Sequence, residues 1–324
     1  MPTAAPTSAL TLDVGGSHVT AARVSLAQRR VENEARRTLV HGEGLGSLLN
    51  GWAEAALEAA GDHSGPFSHI GLAVPGPFDL ESGVSQMRHK FHALKGVPLR
   101  PLLAGYFAAT PLDGLPILFG NDADLFALGE WWASRQRTAG ESAPDDPMIG
   151  LTLGTGLGSG FIAAGRVVMT GDTVPPGGEL WNVPYRDTVA ESFACGAAVT
   201  RAWTALGGRR PVGQEAPSAR DLAALASAGD ERALETFRVF GTDLAGVLWP
   251  WVQRFAARRV VLGGNVSHAF SLFGPAVQAG LDSHAGLECQ VMVSEYFERA
   301  GLLGAAALSP EAAPSATANR GEST

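Results

Sequence analysis

The chain has 324 residues, 45% of them hydrophobic and 17% charged, which are proportions of a globular protein and not of a disordered one. A formal charge of −8 and a pI near 5.5 exclude the basic face that a nucleic-acid backbone selects, and the length exceeds one ordinary core, so two lobes sharing a cleft are expected. Cys195 and Cys289 stand alone, which excludes a disulfide framework and a thiolate zinc site; with no apolar run of about 18 residues and no leader pattern before residue 10, the expectation is a cytoplasmic protein without a membrane partner.

In chain order, residues 10–14, 19–26 and 30–40 read as successive strands, the first two joined by Gly15-Gly16-Ser17. Leu48, Leu49, Trp52, Ala56 and Leu57 fall on one helical face, which puts a helix over residues 45–60, ended by Gly61. Residues 69–74 read as a strand running into Pro75-Gly76-Pro77, 98–108 as a helix, 116–119 as a strand and 123–135 as a helix. Strands alternating with helices indicate an α/β fold with parallel strands. Residues 138–147 are polar and read as a surface connection.

The pattern then restarts, with strands at 148–153 and 161–164 around a glycine turn at 154–160. Leu10-Thr11-Leu12-Asp13-Val14-Gly15-Gly16-Ser17 and Leu151-Thr152-Leu153-Gly154-Thr155-Gly156-Leu157-Gly158-Ser159 read as two copies of one device. An internal duplication would put both turns at the mouth of one cleft. From Asp187 the chain reads as mostly helical, with Pro250 expected to bend the long helix, until a strand at 259–264 reaches Gly263-Gly264. Residues 309–324 are small and polar, and disorder is expected there.

Asp13 ends the first strand just before glycines whose missing side chains let phosphate oxygens approach backbone N–H groups. A carboxylate there repels phosphate unless Mg²⁺ mediates; the alternative is a plain hairpin. Lys90 and Lys95 are the only lysines and neither follows a glycine, so any phosphate is held without a Gly-Lys-Ser/Thr loop. The second turn has more glycine than a hairpin needs and adds the Thr155 hydroxyl. Gly158-Ser159-Gly160-Phe161-Ile162-Ala163 formally matches a dinucleotide fingerprint, but it runs into a strand where that motif must open a helix, so the dehydrogenase reading is rejected.

Asn121-Asp122 opens the helix that contains Glu130. Asp122 reads as its N-cap or, facing the cleft, as the base that accepts a proton from a substrate hydroxyl while a γ-phosphoryl group arrives in line. Both roles are compatible. Pro75-Gly76-Pro77 reads as a turn or as backbone against which a sugar ring rests. Glu179 and Glu191, the latter assigned to a helix, read as solvated charges or as acceptors of sugar hydroxyls. His89 and His92 lack a third ligand nearby and read as loop residues.

Together these features resemble the ROK family (repressors, open reading frames, kinases) over residues 10–308. Asp13-Val14-Gly15-Gly16-Ser17 is similar to its first phosphate motif, Leu153-Gly154-Thr155-Gly156-Leu157-Gly158 to its second, and Val261-Leu262-Gly263-Gly264-Asn265-Val266-Ser267 to its adenosine-side motif. Gly71-Leu72-Ala73-Val74-Pro75-Gly76-Pro77 and Gly120-Asn121-Asp122-Ala123-Asp124 resemble its sugar-facing segments. The resemblance implies a two-lobed actin-like ATPase fold of RNase-H-like lobes. An N-terminal α/β lobe would cover residues 10–121, joined by a C-terminal helix at 296–308, and a second lobe 122–295. It implies transfer of the γ-phosphate of ATP, with Mg²⁺ at Asp13, to a hexose at its 6-hydroxyl, glucose being the default, and a homodimer. Asp122 becomes the catalytic base, and Gly76, Asn121, Glu179, Asn182 and Glu191 the sugar-side residues. Gly15, Gly16, Ser17, Thr155 and Gly156 fall to the phosphates, and Gly263, Gly264 and Asn265 to the adenosine.

Two departures bear on that assignment. The family pattern Gly-Glu-x-Gly-His with a following cysteine-rich zinc loop is replaced by Gly178-Glu179-Leu180-Trp181-Asn182 and no such cysteines. No structural zinc is therefore expected, and Asn182 stands where relatives carry a histidine that ligates zinc and touches the sugar. Lys90-Phe91-His92-Ala93-Leu94 replaces the usual Asn-Leu-x-x-Trp. The rival readings are a kinase for an N-acetylated hexosamine, a sugar-binding member without turnover, and a regulator. A regulator would need a winged-helix segment ahead of the first strand.

Overall fold

The computed structural model describes residues 5–39, 42–63, 65–87, 92–135, 146–209, 215–284, 286 and 288–309. Expectations for Val40, His89, Lys90 and Phe91, for most of the polar connection and for nearly all of the tail lie outside the described residues.

The first half runs β1 (Ser8–Val14), β2 (His18–Ser25), β3 (Arg30–Thr38), α1 (Leu45–Ala60), β4 (Phe67–Val74), the short β5 (Phe78–Asp79) and β6 (Val84–Ser85), α2 (Leu99–Phe107) and β7 (Ile117–Asn121). After α3 (Asp122–Ser134) the second half runs β8 (Met148–Leu153), β9 (Leu157–Ala163), β10 (Arg166–Val167), β11 (Pro184–Tyr185), β12 (Thr188–Val189) and α4 (Gly196–Ala205). It continues through α5 (Ala219–Ser227), α6 (Glu231–Phe255), β13 (Arg259–Gly263), α7 (Phe270–Asp282), β14 (Gln290–Val293) and α8 (Ala300–Ala307).

The strand orders are β3-β2-β1-β4-β7 and β10-β9-β8-β13-β14. In each sheet one edge is an antiparallel meander and the other three strands are parallel. The repeat read in two short motifs therefore extends over two whole sheets, giving an α/β protein with open mixed sheets in two lobes.

Parallel strands buried on both faces read as unbroken apolar runs, and residues 70–74 of β4 form one. One face of the first sheet takes α1, which lies over β1, β2 and β3 and buries Leu48, Leu49, Trp52 and Ala56, each side chain at helical spacing and each excluded from water. The other face takes α8, whose Ala305 carbonyl presses on Gly71 and accepts a hydrogen bond at 3.0 Å from His69 Nε2. On the second sheet lies α3. Cβ atoms on Gly158 and Gly160 would each come within 2.8 Å of α3 methyl groups, from Ala123 and Ala127 respectively. The two inner helices cross in direct backbone contact, Gly129 on the Ala300 carbonyl and Gly304 on the Leu125 carbonyl, which no side chain at those positions would allow.

Two expectations are corrected. The second glycine turn is residues 154–156 and not 154–160, because Gly158 and Gly160 belong to β9 and their bare surface receives α3. The long α6 carries Pro250 inside it and runs on to Phe255, with Phe240, Leu244, Leu248 and Val252 buried along its length. The C-terminal helix starts at Ala300, preceded by a single 3-10 turn, Phe297–Arg299, and not at residue 296.

Candidate active site

The first turn is closed by the Val14 and Val19 pair and by the Gly15 N–H donating to the His18 carbonyl at 2.9 Å. Ser17 Oγ lies 3.1 Å from His18 Nδ1. The second is closed by the Leu153 and Leu157 pair and by the Gly154 N–H donating to the Gly156 carbonyl at 3.0 Å. It is one residue shorter, and counted from the turn-closing pair the strand position of Asp13 is matched in the second sheet by Thr152, two places off the alignment of the two motifs, which sets Asp13 against Gly154.

Asp13 is half-buried, and the α8 backbone leans on it: a Cβ on Gly301 would stand 3.5 Å from Oδ2. Burial lifts its pKa to about 7; the charges of Asp122 and Glu298 add to the rise and Arg36 opposes it. Electrostatically Asp13 thus lies within reach of Asp122, although they belong to different halves of the chain. A half-buried carboxylate that feels the charge of a second carboxylate is a place that favours a cation. Among the described residues no group of three or more His, Cys, Asp or Glu is arranged to hold a metal by itself. An Mg²⁺ here would share Asp13 with phosphate oxygens and water, the mode this ion prefers, so the residues present fit it.

Asn121, and not Asp122, caps α3: its Oδ1 accepts from the N–H groups of Ala123 at 3.0 Å and Asp124 at 3.3 Å. Asn fits this role as well as Asp does, and its position as the last residue of β7 decides between them. Asp122 is the first residue of the helix, exposed, with Oδ1 accepting from the Ala123 N–H at 2.9 Å. Gly76, beside a cis bond to Pro77, approaches Asn121 so closely that a Cβ would be 3.5 Å from Nδ2. Gly76, Asn121 and Asp122 therefore meet at one place.

Asp124 was not legible as a site residue. It is buried, and burial first, then the charges of Asp122 and Glu179, raise its pKa to about 7. The signal was its spacing: an acid sharing a helical face with core residues Ala127 and Leu128. Glu179 is exposed and accepts from Trp181 Nε1 at 2.9 Å, and Asn182 is exposed next to it. Glu191 sits in a one-turn 3-10 segment, Ala190–Ser192, and not in an α-helix; its Oε2 accepts from the Leu157 N–H at 3.0 Å, directly behind the second turn.

A cavity of about 800 Å³ opens beside that turn, lined by Thr155 and Asn265 together with Gly154, Gly196, Arg220 and His268. The last two lie outside any motif and gave no signal. Gly263 and Gly264 do not line it. Gly263 packs on the Phe126 ring, and Gly264, at φ 79°, lets Leu153 backbone atoms within 2.6 Å of a would-be Cβ, so both shape the wall from behind. Cys195 and Cys289 are free and buried, the latter with its pKa pushed up to about 12, chiefly by burial. Among the described residues no helix is long and apolar enough to cross a membrane.

A glucokinase from Thermotoga maritima is 28% identical over 322 residues, spanning 93% of this chain and 96% of its own. An N-acetyl-D-glucosamine kinase from Haemophilus influenzae is 25% identical over 318 residues, spanning 92% and 97%. The crystal structure of a ROK hexokinase from Thermus thermophilus superposes with a TM-score of 0.71 at 26% identity, covering 93% of this chain and 97% of that one. The ROK family model matches residues 9–312, and the chain belongs to the ROK family.

Proposed function

We propose that the protein transfers the γ-phosphoryl group of Mg²⁺-ATP to the 6-hydroxyl of a hexose, with Asp122 as general base. One observation carries this reading: Asp122 is exposed at the start of α3, and its charge raises the pKa of two less exposed carboxylates, the half-buried Asp13 and the buried Asp124. An exposed carboxylate among buried ones can take a proton from an entering hydroxyl. Asn121, fixed by its capping bonds, presents its Nδ2 beside Gly76 for a sugar oxygen. The N–H groups of residues 15–17 and 155–156, with the Thr155 and Ser17 hydroxyls, hold the phosphates, and Asn265 and its cavity hold the adenosine. Mg²⁺, when bound, neutralises charge on the transferring group. The repeated sheet order supports the actin-like reading, with lobes at residues 10–121 plus α8 and at 122–295.

Glucose is the first substrate to try, since the Thermotoga relative is a glucokinase. Asn182, exposed at the sugar end, and the Haemophilus relative favour an N-acetylated hexosamine as the second. A screen of ATP consumption over hexoses and N-acetylhexosamines tests both. Turnover of one class is expected; silence across the panel with nucleotide binding intact would overturn the reading in favour of a sugar-binding protein without turnover.

A further inference from the structure

Glu191 joins two parts of the molecule that the sequence keeps apart. Its own N–H donates to the Trp181 carbonyl at 3.0 Å, inside the segment that carries Glu179 and Asn182. Its Oε2 accepts from Leu157, the residue that follows the second glycine turn. Gly156 lies so close that a Cβ there would be 2.5 Å from that oxygen. Five residues further on, the Gly196 N–H donates to the Gly154 carbonyl at 2.8 Å, so the same segment grips the turn at both ends. The first turn also has a tie from outside, the Leu39 N–H donating to the Ser17 carbonyl at 2.8 Å, but that tie joins two backbone groups and no carboxylate takes part in it.

We propose that Glu191 is a positioning residue for the nucleotide: Oε2 fixes the turn at residues 154–156 in its phosphate-binding shape, and the link through Trp181 makes that shape depend on the sugar-side segment. Gly156 is glycine because this carboxylate must reach Leu157. The inference rests on the kinase reading for the identity of the ligand, and goes beyond it by giving Glu191 a task at the phosphate end. A backbone N–H bonded to a carboxylate is among the stronger hydrogen bonds, and without it the Leu157 N–H is left without this partner at the edge of the turn.

The test is calorimetric binding of a non-hydrolysable ATP analogue and of AMP to the full chain and to Glu191→Ala, Glu191→Gln, Gly156→Ala and the double variant Glu191→Ala/Gly156→Ala. Thermal unfolding is recorded for each to show that it is folded. Glu191→Ala is expected to weaken the ATP analogue by about tenfold or more and AMP by less than about threefold. Glu191→Gln keeps an acceptor oxygen and is expected to restore most of the affinity. Gly156→Ala should cost as much as Glu191→Ala, and the double variant no more than either alone, because both remove one contact. Additive losses, an equal loss for AMP, or a Gln variant as weak as Ala would overturn the proposal while leaving the kinase reading intact. A wild-type chain that binds no ATP analogue would overturn both.

Discussion

The two sheets share one strand order, yet their glycine turns are held in place differently. The first keeps a carboxylate, Asp13, at its strand end and is tied from outside by a backbone group, the Leu39 N–H on the Ser17 carbonyl; the second has Thr152 at the matching position and is tied by the Glu191 carboxylate as well as by the Gly196 N–H. The frame is thus repeated, whereas the strand-end carboxylate lies in one half and the carboxylate-held turn with its cavity of about 800 Å³ in the other. A cleft built from two such halves can hold the two ends of a polyphosphate by different means, one through a metal and one through fixed N–H groups.

The sharpest break of that asymmetry is at its centre. Asp122→Ala is expected to lower kcat by about two to four orders of magnitude while ATP-analogue affinity persists, since a general base acts in the transition state and not in ground-state binding. Steady-state kinetics beside calorimetry check it.

Asp13→Asn is expected to lower kcat/KM by about 10–100-fold and to raise the Mg²⁺ concentration giving half-maximal rate, whereas Thr152→Ala, its counterpart in the other sheet, stays within about threefold. Mg²⁺ titrations of both variants measure the difference. Equal losses would remove the distinction between the two turns.

Gly304→Ala, at the crossing of α8 with α3, is expected to destabilise the fold by about 1–3 kcal/mol, because the new methyl meets the Leu125 carbonyl. Denaturant unfolding reads this directly. Gly301→Ala, one turn away, would place its methyl at an ordinary contact distance of 3.5 Å from Asp13 Oδ2 and is expected to cost less.

The smallest effect is a pH effect. The folded state lifts Asp124 from 3.8 to about 7, so it binds more protons than the unfolded chain between those values. The stability associated with this group is full below about pH 4 and is lost as pH rises through 7. Asp124→Asn is therefore expected to raise Tm by several degrees at pH 8 and by progressively less as the pH approaches 4. A gain that does not change with pH would contradict the assignment.

Much of this was legible in the sequence because it depends on local chemistry. Periodicity placed α1 to its last residue, and Asp13-Val14-Gly15-Gly16-Ser17 read as strand and turn because apolar alternation and paired glycines permit little else. The errors share one cause, which is tertiary packing. Gly158, Gly160 and Gly263 read as loop or ligand glycines, but they are bare because α3 lies on them, and no single-sequence signal separates a glycine that admits a phosphate from one that admits a helix. Asp124 and Glu191 are similar. Their roles come from neighbours 20 or more residues away, Glu179 for one and Leu157 for the other.

The central claim is that the exposed carboxylate between the two turns moves a proton during phosphoryl transfer. It is tested most directly by following ³¹P resonances of Mg²⁺-ATP with the preferred hexose, using wild type and Asp122→Ala at equal concentration. The expected result is a hexose 6-phosphate signal growing with wild type, and one growing at least about a hundred times more slowly with the variant. Equal growth in both samples would contradict the claim.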